Sequence, residues 1–242
     1  MTVRGSVAVI GAGDFIGSAI ARRFATEGFP VFAGRRDADK LAPLVADIEA
    51  EGGVCRARAV DAREEAQVAT FLAEAEAEGP LAVCVFNIGA NVRFPALETT
   101  ERVFRKVWEL ACLGGFLTGR EAARHMVPRG AGSIFFTGAT ASMRGGSGYA
   151  AFASAKAGLR AVAQSFAREL GPQGVHVAHL VIDAGVDTRW VRERMGPEAE
   201  AALRPDQLMR PESVADAYWH LHNQSRDAWT HEMDLRPYAE KW

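Results

Sequence analysis

The sequence predicts an α/β fold: a doubly wound parallel sheet with helices on both faces, built as a single domain. Three observations predict it. The chain opens on an apolar run, Val7–Ile10, suited to a strand buried on both faces. That run breaks at Gly11, Ala12 and Gly13 and passes into Phe15, Ile16, Ala19, Ile20 and Phe24, which recur at helical spacing. Strand-like and helix-like stretches then alternate along the chain, which argues for parallel strands joined by right-handed crossovers.

The elements follow in order. Val31–Ala33 reads as a second strand, with Gly34, Arg35 and Arg36 after it. Asp37 is placed to cap a helix running to about Glu51, ended by Gly52 and Gly53. Val54–Val60 reads as a third strand closing on Asp61, and a charged helix covers about Glu64–Glu78 before Gly79 and Pro80 stop it. Leu81–Phe86 is a fourth, buried strand, followed by the turn Asn87-Ile88-Gly89. A long helical region spans about Glu101–Met126, and Ser133–Phe136 makes a fifth strand. The loop Thr137–Gly148 leads into a helix over about Tyr149–Leu170, and Val175–Ile182 is a sixth strand. Residues 188–211 read as a lid over a substrate, with a surface helix as the plain alternative. The tail 228–242 offers a seventh strand and an aromatic hook containing Tyr238 and Trp242.

Composition excludes several classes. The 242 residues are 48% hydrophobic and carry 28 basic against 30 acidic side chains, a formal charge of −2. This is no disordered chain, and the dispersed basic residues form no nucleic-acid stripe. Cys55, Cys84 and Cys112 lie far apart in apolar surroundings, as reduced core thiols do. The histidines show no ligand spacing: His176 and His179 fall on opposite faces of the sixth strand. No run is long enough to span a bilayer, and with the first strand starting at once no signal segment is expected. A cytoplasmic protein without nucleic-acid or membrane partners is expected. No repeat or linker divides residues 1–242, hence one domain.

In such sheets ligands bind beyond the carboxyl ends of the strands. The spacing of Gly11, Gly13 and Gly17 between a buried strand and a helix lets the backbone approach a pyrophosphate at a helix N-terminus. Lys156 stands on an apolar helical stripe with Phe152, Leu159 and Phe166, so its ammonium needs a partner there. A ribose would serve as that partner, and snorkelling to the surface is the alternative.

These motifs resemble the short-chain dehydrogenase/reductase family from Ser6 to about Leu221. The family's TGxxxGxG motif reads Ile10-Gly-Ala-Gly-Asp-Phe-Ile-Gly17, and NNAG reads Phe86-Asn87-Ile88-Gly89. YxxxK reads Phe152-Ala-Ser-Ala-Lys156, and the last strand's PGxxxT begins at Asp183-Ala184 and keeps Thr188. The resemblance implies a Rossmann-type NAD(P)-binding oxidoreductase acting on a small molecule, assembled as a homotetramer or homodimer. It assigns the dinucleotide to Gly11, Gly13, Asp14, Phe15 and Ile16 in the first turn, and to Arg35 and Arg36 after the second strand. Asp61 and Ala62, Asn87 and Gly89, Lys156, and Val186 with Thr188 complete that set. An Arg pair after the second strand favours NADP over NAD, although Asp14 would repel a nearby phosphate.

The resemblance breaks at proton transfer. The family's catalytic Tyr, Ser and Asn fall on Phe152, Ala139 and Ala111, and only Lys156 is kept, as in a divergent branch of the family. Tyr149, three residues before Phe152, is the leading substitute donor, beside the loop hydroxyls of Thr140, Ser142 and Ser147. Packing is the plain role for Tyr149. Two further readings stand beside the oxidoreductase: a dinucleotide-binding pseudoenzyme or sensor, and a lyase or isomerase using Lys156.

Overall fold

The computed structural model describes residues 5–240. Seven strands form one sheet: β1 (Ser6–Ile10), β2 (Val31–Arg35), β3 (Cys55–Ala59), β4 (Leu81–Phe86), β5 (Gly132–Thr137), β6 (Val175–Ile182) and β7 (Glu232–Leu235). Their spatial order is β3-β2-β1-β4-β5-β6-β7 and every pairing is parallel. Val9 pairs with Ala33 on one side and Val85 on the other, so β1 lies at the point where the winding reverses. This is the doubly wound sheet the alternation predicts.

Side chains of each strand divide between two cores by the period of two. Val7 and Val9 join one core with Ile20 and Phe24 of α1 (Ile16–Thr26), Leu44 and Ile48 of α2 (Ala42–Ala50), and Tyr218 and Leu221 of α10 (Pro211–His222). Ala8 and Ile10 join the other, with Leu72 of α3 (Glu65–Glu78), Met126 of α5 (Gly114–Met126) and Leu159 of α7 (Ala150–Leu170). Being covered on both faces, β1 and β6 are buried along their whole length, which suits their largely apolar sequences.

The long helical region divides into α4 (Glu101–Trp108), a π-helical turn over Glu109–Leu113, and α5. The short helix α6 (Thr140–Met143) follows β5, while α8 (Arg189–Met195) and α9 (Pro197–Ala201) follow β6. Below them, Val186 and Met209 form an isolated parallel bridge that ties the two ends of this segment together.

Two expectations are corrected. Asp37 makes no side-chain cap; a 3-10 turn over Ala38–Leu41 comes first, and the α-helix starts only at Ala42. Pro43 sits in its first turn, where its missing N–H costs nothing. The third strand is shorter than expected, Cys55–Ala59, with Val54 and Val60 each contributing one last backbone hydrogen bond to β2 at its two ends. The tail does supply a seventh strand, and Tyr238 beyond it is 79% exposed. Trp242 lies outside the described residues. Among the described residues no helix is long and apolar enough to cross a membrane, and no cluster of His, Cys, Asp and Glu has a metal site's geometry.

Candidate functional site

A cavity of about 1000 Å³ opens at the carboxyl ends of the strands. Its walls are the turns after β1 to β6, so the topology alone gathers residues far apart in sequence. Of the residues assigned to the dinucleotide, all line it: Gly11 to Ile16 apart from buried Ala12, Arg35 and Arg36, Asp61 and Ala62, Asn87 and Gly89, Lys156, Val186 and Thr188.

The first turn is built for close approach. Gly11 has φ +90°, and a Cβ there would lie 2.7 Å from the backbone of Asn87. A Cβ on Gly17 would lie 2.3 Å from the Gly11 carbonyl oxygen, so the helix can start this close to the strand only with glycine. Gly13, by contrast, faces open space. The Ser18 hydroxyl closes the turn from inside, donating to the Gly13 carbonyl at 2.7 Å. Ile16 begins α1, and its N–H is among those that have no acceptor within the helix.

Asn87 fixes this turn against the next one. Its amide donates to the Gly11 carbonyl at 3.1 Å, and its Oδ1 accepts from the Thr137 hydroxyl at 2.9 Å. Thr137 in turn lies 2.6 Å from the hydroxyl of Tyr218, which is fully buried. Since Thr137 gives its one proton to Asn87, Tyr218 donates to Thr137. The Asn87 side chain is therefore spent on holding the walls of β1, β4 and β5 together.

Lys156 is buried at the cavity floor, with 2% of its surface exposed. Its Nζ donates to the Thr137 carbonyl at 2.7 Å and the Ile88 carbonyl at 2.9 Å. Burial pushes its pKa down to about 7, while the two carbonyl acceptors favour the charged form. The snorkelling alternative is thereby excluded.

At the outer end, Asp14 pairs with Arg35 at 2.8 Å. The Asp14 charge, expected to repel a phosphate, is thus met by Arg35, and the exposed Arg36 and Lys40 line the same mouth. Both Asp61 oxygens accept from Arg63, whose guanidinium holds the carboxyl below the usual carboxylate range. Thr188 caps α8, accepting from the Val191 N–H at 3.1 Å.

The positions expected to transfer protons look different. Ala111 and Phe152 are buried in one apolar cluster with Val107, Cys112, Ala151 and Ala155, and Ala139 and Tyr149 pack against it. Ala111 falls in the π turn. Ala139 and Phe152 line the cavity, as do Tyr149 and Thr140. Thr140 donates to the carboxylate of Asp183 at 2.5 Å, and the Ser142 hydroxyl accepts from the Ala139 N–H at 3.1 Å. Ser142 is buried and committed to that loop. Ser147 does not line the cavity.

His176 and His179 serve the fold. His176 stacks on Trp229 at 4.9 Å, and His179 meets Glu232 of β7 at 3.1 Å from the other face. Sequence reasoning missed Arg63, Tyr218 and the place of Arg144 in the cavity wall. The first two are partners found only by folding; Arg144 was visible as the cation next to the loop glycines Gly145 and Gly146.

Comparison with known proteins agrees with this architecture. The chain is 58% identical to a short-chain dehydrogenase from Rhodopseudomonas palustris, with a TM-score of 0.84 over 97% of this chain and 99% of that one. It is 26% identical to a metagenomic short-chain oxidoreductase solved in complex with NADP, with a TM-score of 0.80 over 98% and 99% of the two chains. Among curated proteins, the 3-oxoacyl-[acyl-carrier-protein] reductase MabA of Mycobacterium tuberculosis is 32% identical over 213 residues, 87% of this chain and 82% of that protein. The short chain dehydrogenase family profile matches residues 6–198, from the first strand to α9. The chain belongs to the short-chain dehydrogenase family.

Proposed function

We propose that this protein is an NAD(P)-dependent oxidoreductase that acts on a small molecule with a non-standard proton donor. One observation carries the reading: a buried lysine, tethered to two carbonyls, lines the same cavity as a glycine turn with an open backbone edge. These residues fit a dinucleotide. Gly13 and the start of α1 suit the pyrophosphate. Lys156 has three N–H donors and uses two on carbonyls; the third is available to ribose hydroxyls. Arg36 and Lys40, with Arg35 held by Asp14, support NADP over NAD at the adenosine end. The metagenomic relative is complexed with NADP, and the 26%-identical alcohol dehydrogenase of Thermococcus sibiricus with 5-hydroxy-NADP.

When bound, the nicotinamide supplies hydride transfer to or from a substrate carbon. The chain's own contribution is to position, to exclude water, and to supply a proton from somewhere other than the usual Tyr. Phe152 and Ala139 hold no transferable proton, and Tyr149 is the hydroxyl proposed in their place. A positioned general acid contributes roughly 10²–10⁴-fold, so Tyr149→Phe is expected to remove most turnover. Unchanged turnover would take Tyr149 out of the mechanism. The apolar cluster around Phe152 favours a second reading, a dinucleotide-binding protein without turnover. A homodimer or homotetramer accords with Phe104 and Trp108 standing 41% and 40% exposed on α4; a monomeric mass in solution would refute it.

Titration of the purified protein with NADPH and NADH, followed by nicotinamide fluorescence, tests the proposal. NADPH is expected to bind more tightly than NADH. Binding of neither would overturn the dinucleotide reading.

A further inference from the structure

The cavity has two ends of different charge. The acids that line it, Asp14, Asp37 and Asp61, all belong to the turns after β1, β2 and β3. No acid of the loops after β5 and β6 lines it. Between Ala139 and Val191 the only ionic side chains lining it are Arg144 and, at the floor, Lys156. Lys156 is tethered at the floor by two carbonyls, and Arg144 presents the one guanidinium to this end.

Arg144 is held ready but not used up. Its Nη1 and Nη2 reach Asp183 only at 3.4 and 3.3 Å, long for hydrogen bonds between charged groups. Asp183 has nearer partners. Thr140 donates to it at 2.5 Å, and Arg236 of the strand-end turn after β7 approaches at 3.2 Å. The Asp183 side chain is 5% exposed and Arg236 13%, whereas Arg144 is 56% exposed. Asp183 therefore keeps a buried cation and a hydroxyl without Arg144, and it does not line the cavity itself. A guanidinium has five N–H donors in a planar fork. With two directed at Asp183, three are left for a ligand. The surroundings are otherwise apolar or aromatic: Leu110, Tyr149, Phe152 and Trp190 share this wall.

We propose that Arg144 anchors a carboxylate of the substrate, so that this end of the cavity takes small oxo- or hydroxy-acids with an apolar body, not neutral carbonyl compounds. One fork meets one planar carboxylate bidentately, and the aromatic wall takes the rest of the molecule. The inference rests on the oxidoreductase reading for its choice of oxo- and hydroxy-acids; the acid preference itself does not.

Calorimetric titration of the full chain with phenylacetate and with phenylacetamide, in the absence of any dinucleotide, tests the anchor. The wild type is expected to bind the acid at least about tenfold more tightly than the amide, the effect of one charged hydrogen-bonded pair. Arg144→Gln should erase that difference, and Arg144→Lys, which keeps the charge and loses the fork, should retain part of it. Thermal melting checks that each variant is folded. Equal affinity for acid and amide in the wild type overturns the proposal, as does an acid preference that survives in Arg144→Gln. If NADPH fails to bind while the acid preference holds, the dinucleotide reading falls and the anchor stands.

Discussion

The two ends of the cavity differ in how their polar groups are engaged. Around the first turn the buried polar groups interlock: Gly11 is bonded to Asn87, Asn87 to Thr137, Thr137 to Tyr218, and Lys156 to the carbonyls of Thr137 and Ile88. Around Phe152 the side chains form an apolar cluster instead. The polar end is costly to dismantle, because each buried group would lose its only compensation for leaving water. The apolar end is held by packing, which tolerates substitution of similar volume. The two ends are therefore stabilised by different forces, and substitution at the apolar end need not disturb the polar one.

The strongest way to break that contrast is to restore the hydroxyls. Phe152→Tyr combined with Ala139→Ser adds one oxygen at each of two positions that already line the cavity. If the apolar end lacks only a proton donor, turnover of an oxo-acid with NADPH should rise by about 10²–10⁴-fold. No rise, with NADPH binding retained, would mean that the chemistry runs through another group or that there is none.

The next largest effect is expected at the polar end. Lys156→Met keeps most of the side chain's length but strands the Ile88 and Thr137 carbonyls without a donor. Hydrogen bonds to charged groups contribute about 1.5–3 kcal/mol, so NADPH affinity should fall roughly 10- to 100-fold, with a lowered melting temperature. Unaltered NADPH affinity would separate Lys156 from the dinucleotide and leave it a structural clamp.

The sequence displayed the fold well because local signals and topology agree. Short, largely apolar runs such as Leu81–Phe86, bounded by turn residues, suit strands covered on both faces, and the fold places β4 there. The turns at their ends, with Gly11, Asn87 and Thr188, follow from that order. What was hidden depends on long-range partners. The bond between Thr137 and Tyr218 joins residues 81 apart, and no periodicity reports such a pair. The pairing of Asp14 with Arg35, 21 residues away, was hidden for the same reason. Asp37 looked like a cap by residue type, but Pro43 further along decides where the α-helix can begin.

A smaller effect sharpens the comparison by acid. Burial lowers the pKa of His179 to about 4, against the attraction of Glu232 and with the help of repulsion from Lys156 and Arg160. His222, under α1 beside Ser133 and His176, is also lowered to about 4. Both rings are neutral in the folded chain at neutral pH. Between about pH 6.5 and 4 the unfolded chain binds more protons than the folded one, so stability falls as pH falls through that window and levels off below it. Glu232 is held below the usual carboxylate range by Arg160 and stays ionised over most of this interval, which leaves the histidines as the source of the slope. The shift at His179 corresponds to about 3 kcal/mol at most. The melting temperature should therefore drop by several degrees between pH 6.5 and 4.5. His179→Gln should flatten the drop through the β6–β7 side, and His222→Gln through the α1–α10 side. A melting temperature independent of pH over that range would mean that both rings gain in the fold, on protonation, as much as they lose by burial. Unequal flattening would identify which ring has the larger shift.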